Sequence, residues 1–296
     1  MNNSLISVVI ATYHRGTELK RALKSLSTQT YSNFEVILVD DNNDSHWNGI
    51  VKGIVDAETE LNIRLIVNSS NKGSAQSRNE GIFSARGNYI TFLDDDDVYL
   101  PNKLERQVNK ITDANADFCI TDLFLYNEKD VLTDRRIRSY IKKTDRNSLL
   151  VYHLKYHMTG TDTLMFSKEF IQKIGGFSNI DIGDEFYLVL KAIENNCKFT
   201  YLPGCDVKAY VHGKNGGIST GNNKINGENA LFEKKKDYYS FLSKRDIRFI
   251  KMRHNAVIAV ANMNMKEYYV AFYKLIESFV NTPVGFVKMF LSHKVL

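Results

Sequence analysis

Residues Tyr89-Ile90-Thr91-Phe92-Leu93-Asp94-Asp95-Asp96-Asp97 decide how this chain folds. A short apolar run of buried-strand type ends abruptly in four adjacent carboxylates. Four such groups repel one another unless water or a cation neutralises them. Alternation along an extended backbone would put Asp94 and Asp96 on one side, a spacing suited to a divalent metal with hard oxygen ligands. The plain alternative is an acidic loop that caps the next helix. Upstream, Phe34 to Val39 reads as a second strand with a similar ending, Asp40-Asp41-Asn42-Asn43-Asp44. Before it, Leu5 to Ile10 is a continuous apolar run of parallel-strand type, and Leu19, Ala22, Leu23 and Leu26 follow with helical spacing. Ile63 to Val67 predicts a third strand and Ser74 to Ala85 a helix. Pro101 suits the first turn of a helix whose core face is Leu104, Val108 and Ile111. This alternation implies right-handed crossovers and an α/β doubly wound sheet. Ligands in such sheets bind beyond the carboxyl ends of strands, where both acidic clusters lie.

Further along, the spacing predicts short strands over 117–121, 163–166 and 198–202, and a helix over 184–195. Residues 213–227 are rich in Gly and Asn and read as a loop. Beyond them the composition turns helical, basic and aromatic. The whole chain has 296 residues, 43% hydrophobic and 25% charged, with a net charge of +5. A sizeable core can form, and wholesale disorder is excluded. The mild positive surplus suits an anionic ligand or surface and does not point to nucleic acid. Three cysteines without a CxxC pair argue against a disulfide framework or a zinc site and suggest a reduced, cytoplasmic protein. The N-terminal stretch reads as a first strand, not a signal peptide, and no window is long and apolar enough to span a membrane.

Individual residues leave alternatives open on spacing alone. Asp41 suits either a base or ribose contact or an Asx turn. Arg78 either faces a phosphate or sits solvated on its helix. Asp184 and Glu185 open a helix, where acids complement the dipole and where a general base would also be held rigidly.

The segments SVVIATYHRG, VILVDDNND, NKGSAQSRNEGIFSARGNYITFLDDDDVYLPNKL and GGFSNIDIGDEFYLVLKA, in this order, resemble glycosyltransferase family 2, over residues 5 to about 220. The resemblance implies a Rossmann-like GT-A fold: a mostly parallel central sheet flanked by helices, here followed by a C-terminal helical extension. It divides the chain into a catalytic domain over 1–225, with a nucleotide-binding half to residue 100 and an acceptor-side half from 101, and a basic extension over 226–296. It also implies inverting transfer from a nucleotide-diphosphate sugar, a UDP-sugar by default, with Mn²⁺ or Mg²⁺. Thr12 and Tyr13 then line the base pocket, Asp41 reads the base, and Arg78 lies near the nucleotide. Asp94-x-Asp96 matches the family's DXD motif, with Asp96 as direct metal ligand and Asp95 near the sugar or ribose. The family's Glu-Asp is inverted here to Asp184-Glu185; counting back from Lys191 gives Glu185 the base position, with Asp184 as the alternative. Val211-His212 followed by Ser219 is similar to a His-loop-Ser element, so His212 joins the metal or diphosphate ligands. The acceptor implied is a glycan or a lipid-linked sugar, as in bacterial cell-surface polysaccharide or glycoconjugate synthesis.

Two other readings fit the residues less well. A phosphoacceptor receiver module would carry the VDDN strand first, whereas here it is second. A silent GT-A protein that only binds nucleotide or glycan is disfavoured because every acidic position is filled. Finally, residues 232–254 hold eight Lys/Arg against three acids, and Tyr269, Phe272, Tyr273, Ile276 and Val280 form one helical stripe. Residues 232–296 therefore suit peripheral contact with the inner face of the cell membrane, packing on the catalytic domain, or a homo-oligomer interface.

Overall fold

A computed structural model describes residues 3–180, 183–211 and 221–291. One compact unit comprises residues 3–149 and 158–211, and a second comprises 150–157 and 221–291. His212 and Ser219 lie outside the described residues.

The first unit is built on a single sheet. Its strands are β1 (Ile6–Thr12), β2 (Phe34–Asp40), β3 (Ile63–Val67), β4 (Tyr89–Phe92), β5 (Val98–Tyr99), β6 (Phe118–Asn127), β7 (Leu132–Arg136), β8 (Leu164–Ser167) and β9 (Phe199–Val211). They lie in the order β3-β2-β1-β4-β8-β6-β9-β5, with β7 on β6. From β3 to β4 every pairing is parallel, so the carboxyl ends at Thr12, Asp40 and Phe92 share one edge. Beyond β4 the sheet is mixed: β8 runs antiparallel between β4 and β6, β6 and β9 pair in parallel, and β5 runs antiparallel to β9.

The helices of this unit are α1 (Thr17–Ser27), α2 (Ser45–Ala57), α3 (Ser74–Ser84), α4 (Lys103–Asp113), α6 (Lys168–Lys173) and α7 (Asp184–Glu194), with α5 (Arg146–Tyr156) running from one unit into the other. Ile6, Val8 and Ile10 of β1 meet Leu19, Leu23 and Leu26 of α1, Val51 of α2, and Leu104 and Val108 of α4 in one core. Each such side chain contributes roughly 1.5–3 kcal/mol by leaving water. Alternation turns Val9 to the opposite face, toward α3. There a Cβ on Gly81 would lie 2.3 Å from Val9 Cγ1, so only glycine lets α3 settle this close to β1. That approach sets the position of Arg78, one turn earlier on α3.

Two differences from the spacing-based expectation have physical causes. β9 continues to Val211 although Pro203-Gly204 looks like a terminator, because the two residues bulge out between Leu202 and Cys205 and, after a second shift before Lys208, pairing with β6 resumes. On α4 the buried face includes Lys103 beside Leu104 and Val108. Its ammonium donates to Thr91 Oγ1 at 2.5 Å and to the Tyr99 hydroxyl at 2.7 Å.

The second unit holds α8 (Gly221–Lys236), α9 (Lys244–Asn264), α10 (Tyr268–Asn281) and α11 (Pro283–Leu291). Its small core is Met252, Ala256 and Met289, backed by Phe249, Val260, Phe286 and Phe290.

Candidate active site

The acidic run does not alternate. β4 ends at Phe92, and residues 94–97 form a turn closed by Asp97 N–H donating to the Asp94 carbonyl at 3.1 Å. A turn brings its first and fourth residues together, so Asp94 lies with Asp97, not with Asp96. The third member is Asp162, from the short 3₁₀ turn Thr161–Thr163 that precedes β8. One carboxylate oxygen from each of Asp94, Asp97 and Asp162 lies within 4.8 Å of the others. The backbone holds them there: Asp94 N–H donates to Asp162 Oδ1 at 2.6 Å, and Tyr210 N–H donates to Asp97 Oδ1 at 2.8 Å. Burial first, then the charge of Asp162 on Asp97 and of Asp94 on Asp162, raise both pKa values. Three hard oxygen donors, two from the 94–97 turn and one from the 161–163 turn, mutually repelling and with Asp97 and Asp162 buried, fit a divalent cation such as Mg²⁺ or Mn²⁺.

Asp96 is directed elsewhere. Its Oδ2 accepts from Arg15 Nη2 at 3.0 Å. Asp95 accepts from Tyr13 N–H at 3.2 Å and lies 3.8 Å from Arg15 Nε. Burial, and then the neighbouring Asp96 charge, push its carboxyl up to about 7.

Arg78 is not a solvated surface residue. It is 11% exposed, and it bridges two carboxylates: Nη2 to Asp94 Oδ1 at 2.7 Å and Nη1 to Asp184 Oδ2 at 3.1 Å. Burial opposes its charge, but Asp94, Asp184 and Glu185 outweigh that and raise its pKa. Asp184 is raised by burial against the pull of Arg78, with Glu185 adding to the rise. Glu185 accepts from Gly160 N–H at 2.9 Å, from Thr161 N–H at 3.0 Å and from the Thr161 hydroxyl. About one of its roughly four lone-pair directions stays free. The Thr159–Thr161 turn is also gripped by buried Arg138, whose guanidinium donates to the Thr159 carbonyl. Gly160 sits at φ +119°, a conformation that L side chains rarely adopt, so glycine is what lets the chain turn into Asp162. Lys191 Nζ donates to the Gly176 carbonyl on the loop before α7.

The end of β1 joins the end of β2 through Asp41 N–H donating to the Thr12 carbonyl at 3.0 Å. The Asx turn belongs to Asp40, whose Oδ1 accepts from Asn42 N–H at 3.0 Å. Asp41 is buried, and its carboxylate accepts from Asn68 Nδ2, Lys72 N–H and Gly73 N–H, which anchors the loop into α3. Thr12 is buried, while Tyr13 is 48% exposed. Tyr13 stacks on His14 at 3.9 Å, and His14 on Trp47 at 5.0 Å, giving a row of three rings at the carboxyl edge of the sheet. The resemblance pointed to Thr12 and Tyr13 but not to His14, Arg15, Trp47, Asp97 or Asp162. The adjacent Tyr13-His14 and the only tryptophan of the chain are the available signals for the ring row. Asp162 has none, since its place depends on a distant strand pairing.

A parallel half-sheet with acids, an arginine bridge and stacked rings at its carboxyl edge defines an α/β protein of the GT-A kind. The glycosyl transferase family 2 pattern matches residues 7–175, more than half of the chain, and the chain belongs to that family. An uncharacterised glycosyltransferase of Haemophilus influenzae is 31% identical over 177 residues, 59% of this chain and 56% of that relative. The Escherichia coli UDP-Glc:alpha-D-GlcNAc-diphosphoundecaprenol beta-1,3-glucosyltransferase WfgD is 29% identical over 132 residues, 45% of this chain and 51% of its own. The chain thus spans about half the length of these curated relatives. Among solved structures, S. aureus TarS 1–349 with UDP-GlcNAc superposes with a TM-score of 0.58 at 19% identity, over 93% of this chain and 72% of that one. The mannosyltransferase PcManGT of Pyrobaculum calidifontis with GDP-Man and Mn²⁺ gives 0.61 at 16% identity, over 93% and 86%. At these identities the likeness is one of fold.

Proposed function

We propose that this protein is an inverting glycosyltransferase that moves a sugar from a nucleotide-diphosphate sugar, a UDP-sugar by default, to a hydroxyl of a glycan or lipid-linked acceptor. The observation that carries the reading is the Arg78 bridge, which ties the acidic turn after β4 to the carboxylates opening α7. Donor-side and acceptor-side chemistry thereby share one rigid frame. One relative supports the UDP default: WfgD is named for UDP-Glc, while the structural neighbours, solved with UDP-GlcNAc and with GDP-Man, share the fold and do not choose the nucleotide. WfgD is also named for a diphosphoundecaprenol-linked sugar, which supports a role in cell-surface polysaccharide or glycoconjugate synthesis.

In this reading the Tyr13-His14-Trp47 row gives the base a stacking face, and Asp41, buried against the 72–73 backbone, shapes the pocket edge beside Thr12. Asp95 reaches the ribose or sugar. Asp94, Asp97 and Asp162 would hold the divalent cation; Asp96, the direct ligand that the family motif implies, now accepts from Arg15 and would turn to the cation once a diphosphate takes that guanidinium. His212, which the family resemblance assigns to the metal or diphosphate, lies outside the described residues. The cation, when bound, offsets the charge that develops on the diphosphate leaving group. Arg78 adds a fixed positive charge from the protein side. Glu185 takes the acceptor hydroxyl proton as that oxygen forms its bond to the anomeric carbon. The carbon–phosphate-oxygen bond breaks with its electron pair leaving on the diphosphate, and attack from the opposite face inverts the centre.

A panel of nucleotide-sugars with Mn²⁺, read by release of nucleoside diphosphate, tests the reading. Turnover of one nucleotide class is expected. Tight nucleotide binding with no release from any donor, with or without acceptor glycans, would make this a binding protein.

A further inference from the structure

The second unit turns its helix α10 inside out. The side chains it buries are small, Ala271 and Ser278, and the Ser278 hydroxyl donates to the Met252 carbonyl of α9 at 2.7 Å. Its large apolar residues face water: Tyr269 is 74% exposed, Phe272 60% and Val280 72%, with Tyr273 and Ile276 on the same stripe. On α11 the same holds for Val284, Val287 and Leu291. A contiguous aromatic and aliphatic face of this kind marks an interaction surface.

The neighbouring charges say what covers it. Val284 and Pro283 line a cleft of about 520 Å³ together with Lys244, Arg245 and Arg248 from the start of α9. Lys244 and Arg245 sit in the first turn of that helix, where the backbone dipole disfavours cations. All three are exposed, and among the described residues none has an acidic partner within 4 Å. The unit has almost no acid to offer them. Five of the six Asp and Glu residues between 221 and 291 already pair with lysines of the same unit: Glu228, Glu233, Asp237, Asp246 and Glu277. A second copy presenting this same face would bring three more uncompensated cations and, among the described residues, a single unpaired acid, Glu267 at the start of α10, to meet all six. The negative charge must come from elsewhere, and it must come attached to an apolar phase.

We infer that α10, α11 and the first turn of α9 dock on an anionic lipid bilayer, with the Lys244-Arg245-Arg248 cleft seating lipid phosphates and the Tyr269–Val280 stripe entering the interface. Tyrosine suits that depth, since its ring is apolar and its hydroxyl stays among headgroups. Among the described residues no helix is long and apolar enough to cross a membrane, so the contact is with one leaflet.

The test is flotation of the full chain with vesicles of phosphatidylcholine alone or with 30% phosphatidylglycerol, at about 50 mM and 500 mM salt. The protein should float only with the anionic vesicles and sink as salt rises. K244A/R245A/R248A should lower the partition coefficient on the order of 10²-fold, and Y269Q/F272Q/I276Q should abolish flotation, both without change in thermal melting because every replaced side chain is exposed. A wild-type protein that stays at the bottom, floats equally with both vesicles, or forms a dimer that the Gln triple variant splits while no vesicle binds it, overturns the inference. Sugar transfer is not read in this assay, so its outcome is independent of the proposed reaction.

Discussion

Arg78 Nη2 lies 2.7 Å from Asp94 Oδ1, and the other end of the same guanidinium lies 3.1 Å from Asp184 Oδ2. One planar cation therefore spans from the acidic turn after β4 to the first turn of α7. Because α3 rests on β1 through Gly81, the bridge is tied to the sheet itself.

Removing that bridge leaves two carboxylates facing each other with no counter-charge. Arg78→Met should cost about 3 kcal/mol in urea unfolding, since breaking a mostly buried pair is worse than lacking it altogether. Transfer should fall at least about 10²-fold. Arg78→Lys should recover part of the stability and little of the activity, because an ammonium cannot reach both acids in a planar fork.

Asp162 should matter for the cation as Asp94 does. Asp162→Asn is expected to raise the half-saturating Mn²⁺ concentration by about 10- to 100-fold in a donor-turnover assay. Asp96→Asn should lower turnover at saturating Mn²⁺ as well. If Asp162→Asn titrates like wild type while Asp96→Asn does not, the cation rests on Asp94 and Asp96, as the family motif implies, without Asp162.

Glu185→Gln should reduce transfer by about 10²–10⁴-fold and leave nucleotide-sugar affinity unchanged. The amide oxygen can keep the Thr161 N–H, but the amide nitrogen cannot accept from Gly160 N–H, so stability should fall by about 1–3 kcal/mol without loss of the fold. A dead Asp184→Asn beside a fully active Glu185→Gln moves the base one residue back.

Lys103 gives a prediction about stability alone. Burial lowers its pKa to about 7, against the pull of Asp162, while the unfolded chain keeps the ordinary value near 10.5. Between those two values the unfolded state binds a proton that the folded state does not. The penalty is fully present below about pH 7 and is relieved as pH rises toward 10.5, so wild-type stability should climb across that window. Lys103→Met should be more stable at pH 7 and lose the climb, as followed by urea midpoints at several pH values.

Much of this was legible in local patterning. Leu5–Ile10, Phe34–Val39 and Tyr89–Leu93 are apolar runs that end in acid, and a parallel half-sheet with an acidic carboxyl edge follows from them. The turn at 94–97 was not, because alternation and a turn give opposite partners for Asp94 and only the hydrogen bond from Asp97 decides between them. Asp162 was invisible, since β8 reaches β4 by an antiparallel pairing across some 70 residues that no local signal announces. The roles of Asp41 and Arg78 stayed open for the same reason: each is settled by long-range partners, the 72–73 backbone in one case and Asp184 in the other. The α10 stripe was plain in the spacing, but its direction was not. Which side of a helix is buried depends on what lies opposite, and here α9 takes Ala271 and Ser278.

The central claim is that the carboxylates gathered after β4 hold a divalent cation that nucleotide-sugar turnover needs. The most direct measurement is nucleoside diphosphate release by wild-type protein and by Asp94→Asn, in excess EDTA and after restoring Mn²⁺. The account predicts no release in EDTA, full recovery of the wild type with Mn²⁺, and an Asp94→Asn protein that stays folded and recovers only at much higher Mn²⁺. Undiminished release in EDTA, or an Asp94→Asn protein with the wild-type Mn²⁺ response, would contradict it.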